Sequence, residues 1–133
     1  MRYSLVVLAV ILGVSVPAFA ALRQSDLENA YLASYKSEQA GKYDAAMSAL
    51  DTVSKEYPAS YTLNLRLGYL NYVTNRYAPA VDYYTKAPAV APAAVDPKLG
   101  KMMVLLAQAK YADAEQVGYQ LVNVDYANYL GNL

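Results

Sequence analysis

A period of 34 residues constrains this chain more than any other feature. Gly41-Lys42-Tyr43, Asn75-Arg76-Tyr77 and Ala109-Lys110-Tyr111 recur in phase at that spacing. Each triplet is a turn-former or small residue, then a base, then a tyrosine. An alanine follows three residues after each Tyr, at Ala46, Ala80 and Ala114, and Pro58 and Pro92 are again 34 apart. Self-similarity on this scale marks stacked supersecondary units, each too small to bury its apolar face alone.

Each period reads as two amphipathic helices. Ser25-x-x-Glu28 is a capping-box pattern that opens the first, and Leu27, Ala30, Tyr31 and Ala33 follow at helical spacing. Gly41 ends that helix, as a C-terminal glycine commonly does. A second helix is expected from about Tyr43 to Glu56, with Ala46, Leu50 and Val53 on one face, closed by Pro58. The second period repeats the plan. Ser60 caps a helix from Tyr61 to about Thr74, a turn falls at Asn75-Arg76, and a further helix covers Tyr77 to about Ala87. Pro79 is tolerated in the first turn of that helix, and Pro88 stops it. Pro88–Pro97 (PAVAPAAVDP) reads as a stiffened connection, since its prolines cannot continue a helix. The third period is expected as helices over Lys98 to Gln108 and Tyr111 to about Asn123, with a short tail at the C-terminus.

Composition narrows the function. The chain of 133 residues has 11 basic and 11 acidic side chains and neither Cys nor His. That leaves no thiolate or imidazole metal site, no disulfide and no Ser-His-Asp or Cys-His nucleophile. No cofactor is expected. No basic block offers a footprint for nucleic acid, and no Gly-rich phosphate loop is present. Asp44, Asp51, Glu56, Asp113 and Glu115 suit first helical turns or solvated faces rather than a facing catalytic pair. Catalysis is therefore not expected.

Residues 1–20 (MRYSLVVLAVILGVSVPAFA) have the three-part layout of a secretory signal peptide. Arg2 is followed by an apolar run from Leu5 to Val16 and a small–x–small site at Ala18-Phe19-Ala20. The run is short for a bilayer span, which takes roughly 20 apolar residues. Export to the periplasm or beyond, without stable membrane insertion after cleavage, is the expectation.

The repeat resembles the tetratricopeptide family, in which 34-residue helix–turn–helix units stack into a superhelix. Aligning Gly41, Asn75 and Ala109 at the inter-helix turn places a linker at 21–26, units at 27–60 and 61–94, a degenerate unit at 95–128 and a tail at 129–133. The second unit matches best, through Leu67-Gly68, Tyr77, Ala80, Tyr84, Ala87 and Pro92. The first matches at Gly41, Tyr43, Ala46, Leu50 and Pro58, but has Ala33-Ser34 in place of the Leu-Gly pair. The third keeps Tyr111 and Ala114 with an apolar Leu121, and has Lys101-Met102, Gly118 and Tyr126 where the pattern expects Leu-Gly, an aromatic and Pro. The resemblance implies an all-α solenoid of about six helices.

It also implies that the first helices of successive units line a concave surface. Tyr31, Tyr35, Leu65, Arg66, Tyr69, Tyr72 and Met103 fall there, with Val73, Leu99 and Leu106 beside them. Tyrosine gives large contact area at low entropy cost, so such a groove suits an extended or helical peptide. Arg66 is either a carboxylate anchor or a solvated charge paired with a nearby acid. Tyr43, Tyr77 and Tyr111 are expected to pack between helices. The expected role is an adaptor for a protein or peptide partner. Two alternatives stay open: a subunit that self-assembles through exposed repeat ends, and a cell-wall glycan binder that draws on Asn64 and Asn71.

Overall fold

The computed structural model describes residues 22–87 and 93–131, with side chains as far as residue 123. The signal-like segment and the first half of the proline-rich connection lie outside the described residues. Within them all regular structure is helical: α1 (Gln24–Gln39), α2 (Tyr43–Ser48), α3 (Asp51–Glu56), α4 (Tyr61–Val73), α5 (Tyr77–Lys86), α6 (Asp96–Ala107) and α7 (Tyr111–Gly131). No helix of the described residues is long and apolar enough to cross a membrane.

The three periodic triplets fold into one turn geometry. Gly41, Asn75 and Ala109 all take left-handed φ values, of 71°, 58° and 56°. At each, two amides reach back to the preceding helix: Gly41 N to Glu38 O and Lys42 N to Ser37 O, Asn75 N to Tyr72 O and Arg76 N to Asn71 O, Ala109 N to Leu106 O and Lys110 N to Leu105 O, all at 2.8–3.0 Å. This is the Schellman closure, which satisfies carbonyls that a helix end leaves open. Ala109 adopts it with a Cβ that disfavours the conformation by about 1–2 kcal/mol.

Several boundaries differ from expectation. Arg23, not Ser25, precedes the first helix. Asp26 takes the capping role given to Glu28, its carboxylate accepting from the Arg23 amide at 3.3 Å and from Arg23 Nε at 3.1 Å. Ser60 does cap α4, its Oγ accepting from Leu63 N at 3.4 Å. The expected second helix divides into α2 and α3. Leu50 turns to φ −98°, ψ 2° and its amide bonds three residues back, to Met47 O at 2.9 Å, before the ladder resumes. This tighter turn makes seven helices of an expected six. Helix α6 starts at Asp96 and takes Pro97 into its first turn, where a missing amide costs nothing. Helix α7 runs on through Gly131, over residues expected as a tail.

The helices pair in order. α1 packs on α2, α4 on α5 and α6 on α7, while α2 meets α4 and α5 meets α6 across successive hairpins. Ala46, Leu50 and Val53 of the first hairpin bury themselves against Leu63, Leu67 and Leu70 of α4. Leu50, Leu63 and Leu70 are fully buried, each stabilising the fold by about 1.5–3 kcal/mol. Between the second and third hairpins Ala80, Tyr84 and Val104 form the core. The Tyr84 ring is wedged between two glycines. A Cβ on Gly68 of α4 would stand 2.8 Å from Tyr84 Cε1, and a Cβ on Gly100 of α6 would stand 2.4 Å from it. Gly68 therefore makes the close helix contact expected of the Leu-Gly pair, and Gly100 supplies a second one. Burial pushes the Tyr84 phenol up to about 12.

Candidate binding surface

The 34-residue register places equivalent side chains at matching positions of α1, α4 and α6. Tyr35, Tyr69 and Met103 occupy one such position, and they are 47%, 41% and 49% exposed. Leu99 and Leu106, a turn to either side of Met103, are exposed as well. Large apolar side chains thus stay in water at the same place in three successive hairpins.

Other candidates sit deeper. Tyr31 is half-buried against the first core, and burial raises its phenol. Leu65 and Tyr72 pack against the Ala80–Tyr84–Val104 cluster. The Tyr72 ring lies 6.4 Å from that of Tyr77 at a tilt of 44°, a favourable aromatic geometry. Val73 is half-buried. Burial and the neighbouring Glu38 carboxylate push the Tyr69 phenol up, because that carboxylate opposes a second negative charge.

Arg66 is neither a solvated charge nor a free anchor. Its side chain is only 7% exposed and forms an ion pair with Glu38 of α1. Nε and Nη2 both donate to Ser34 Oγ at 3.2 Å, and the guanidinium stacks 3.9 Å over the Tyr35 ring. Ser34 is the residue that departs from the Leu-Gly pattern. It is fully buried, and its hydroxyl is spent on Arg66. The cation therefore ties α1 to α4 and holds Tyr35 in place.

The glycan reading loses its polar residues. Asn64 and Asn71 are both buried. The Asn64 amide donates to Pro58 O at 3.0 Å and Ser60 O at 2.8 Å, and the Asn71 amide donates to Leu67 O at 2.8 Å. Neither side chain faces a ligand.

Sequence reasoning missed the deepest part of the surface. A groove of about 870 Å³ opens between the first half of α1, the end of α3 and the α3–α4 turn. Tyr31 and Tyr35 line it together with Leu27, Leu32, Tyr57 and Pro58. Leu27 reads from sequence as a core residue of an amphipathic helix. Only the path of the α3–α4 turn over α1 makes it a wall. Glu28 and Glu56 are the charged residues of this mostly apolar lining, which Gln24, Ser60 and Thr62 complete.

Among the described residues no group of three acidic side chains is placed to hold a metal ion. Asp44 is engaged at the hairpin ends, where Arg76 Nη2 donates to its Oδ1 at 2.6 Å. What remains is apolar and aromatic contact area presented on rigid helices. No family model matches the chain, and none of the curated proteins is significantly similar to it.

Proposed function

We propose that the protein is an exported, tetratricopeptide-like adaptor whose stacked hairpins hold an extended or helical segment of another protein along the face formed by α1, α4 and α6. The observation that carries this reading is the exposure of Tyr35, Tyr69 and Met103 at one repeated position. Each of these large side chains stays about half in water at the same position of three successive units, and such stripes mark interaction surfaces. The groove beside Tyr31 and Tyr35 extends the same face and is of the size that accepts large side chains. Recognition rests on shape and apolar burial, with Glu28 and Glu56 biasing the groove toward a cationic neighbour. Export rests on the layout of residues 1–20.

Site-specific photocrosslinking in the producing cell tests the reading. A photoreactive residue at position 35, 69 or 103 is expected to capture one common partner, while one at exposed Thr85 on α5 captures none. Capture of unrelated proteins at each position, or equal capture at 85, would refute the adaptor surface. Residue 66 is unsuitable for such a test because its replacement perturbs the fold itself.

A further inference from the structure

The α6–α7 hairpin repeats one half of an inter-hairpin interface, and no other half lies against it among the described residues. Adding 34 to Gly68, Tyr72, Tyr77, Ala80 and Tyr84 gives Met102, Leu106, Tyr111, Ala114 and Gly118. The first set is the surface that α6 covers: Val104 packs against Ala80 and Tyr84 with Tyr72 and Tyr77 alongside, and Gly100 abuts the Tyr84 ring. The second set lines an open groove of about 440 Å³ between α6 and α7. Tyr111, expected to pack between helices, is 68% exposed, with no further hairpin over it among the described residues.

We propose that a second copy of this chain covers this face, the two copies pairing tail to tail about a two-fold axis. Head-to-tail stacking is disfavoured by the other end of the molecule. Within the stack α4 meets the preceding hairpin through Leu63, Leu67 and Leu70. Thirty-four residues earlier α1 carries Asn29, Ala33 and Lys36, all exposed. Where α4 presents three leucines, α1 thus presents an amide, a methyl and an ammonium, and the exposed Leu32 beside them belongs to the groove against the α3–α4 turn. An isologous pair needs one self-complementary surface only, and the α6–α7 face holds both halves of such a contact. Its floor is small: Ala114 is buried, and a Cβ added to Gly118 would meet nothing nearer than Met102 Sδ at 3.9 Å. Its ridge stands on the same helix, where Tyr119 and Val122 are 65% and 66% exposed. The one charged residue among the described lining is Glu115, and the Tyr119 hydroxyl donates to its Oε1 at 3.3 Å. The interface continues the inter-hairpin packing of the same chain, with the ridge of one copy entering the floor that Tyr84 fills one unit earlier.

Sedimentation equilibrium tests this on purified protein expressed from the complete sequence, across roughly a hundredfold range of concentration so that mass action separates the species. A dimer that dissociates on dilution is expected. Tyr119→Lys with Val122→Lys should raise the dissociation constant by about thirtyfold or more, the scale of losing central apolar anchors. Leu106→Lys on the facing wall should act in the same direction, and far-UV circular dichroism should be unchanged because all three side chains are exposed. Ala33→Glu on the polar edge should leave the dimer intact. A monomer at every concentration would overturn the proposal and leave the face to a foreign helix. Open-ended oligomers abolished by Ala33→Glu, or a dimer indifferent to the lysine variants, would overturn it as well.

Discussion

Gly100→Ala and Gly118→Ala make the same chemical change within one hairpin, and the structure predicts opposite signs. In a helix interior, glycine to alanine ordinarily stabilises by about 0.5–1 kcal/mol through lost unfolded-state freedom. Gly118 of α7 should show that gain, since its added methyl meets only Met102 Sδ, at 3.9 Å. At Gly100 the methyl would stand 2.4 Å from both Cε1 and Cζ of Tyr84 and 2.8 Å from Cδ1. Carbon atoms rest about 3.5–4.0 Å apart, so the ring or helix α6 must shift by about 1 Å. The ring cannot swing clear, because Gly68 confines it from the other side and the side chain is buried. Overpacking of this kind costs about 1–3 kcal/mol. Set against the propensity gain, Gly100→Ala should lose about 1–2 kcal/mol, or roughly 4–8 °C in Tm for a domain of this size. Urea unfolding of dilute protein followed by circular dichroism measures both variants, with unchanged slope as the sign that only stability moved. A double-mutant cycle completes the argument: in a Tyr84→Leu background the cost of Gly100→Ala should shrink by about 1 kcal/mol or more. If Gly100→Ala proves neutral or stabilising like Gly118→Ala, the ring is not held between the glycines and the packing of α4, α5 and α6 described above is wrong.

The Schellman turns give a second pair of opposite signs, measurable by the same unfolding assay. Ala109→Gly should stabilise by about 0.5–1 kcal/mol by relieving the left-handed Cβ, and Gly41→Ala should cost about 1 kcal/mol for the converse reason. Arg66→Met should destabilise by about 2–4 kcal/mol, since it leaves Ser34 buried without its donor and Glu38 without its cation; adding Ser34→Ala and Glu38→Gln should recover part of that loss. Alkaline pH should weaken the fold through the tyrosines whose phenols are raised, Tyr31, Tyr61, Tyr69 and Tyr84. The unfolded chain releases those protons from about pH 10 while the folded one holds that of Tyr84 to about 12, so stability falls as pH rises through that window. Tyr84→Phe, which keeps the ring, should flatten part of the fall, and an unaltered pH profile would count against a buried phenol.

Legibility was uneven along the chain, and the reason differs from place to place. Two of the turns were visible because Gly41 and Asn75 are residues that accept positive φ; the third, at Ala109, was visible only through the 34-residue period. The break at Leu50 was not visible, since no proline or glycine marks it. The candidate surface was visible as a stripe, since Tyr35, Tyr69 and Met103 share one position of the period. Arg66 defeated sequence reasoning because its partners, Ser34 and Glu38, stand 32 and 28 residues away, on a helix whose approach no local pattern encodes. Asn64 and Asn71 read as surface amides for a different reason: their partners are backbone carbonyls four to six residues back, but their burial is set by the helices packed over them.

The amino-acid sequence by itself determined that the chain is all-helical, where its hairpins turn, and that its chemistry excludes thiolate and imidazole sites. These properties follow from propensity, periodicity and residue inventory, and such interactions reach only a few residues along the chain. Only the tertiary structure decided which tyrosines are exposed, that Arg66 is buried with Glu38, that Tyr84 sits between two glycines and that Tyr111 stays bare where Tyr77 packs against a neighbour. Burial is a property of what packs across from a side chain. In a repeat the same position is covered in one unit and bare in the next, as Tyr77 and Tyr111 are, so only the assembled stack distinguishes them.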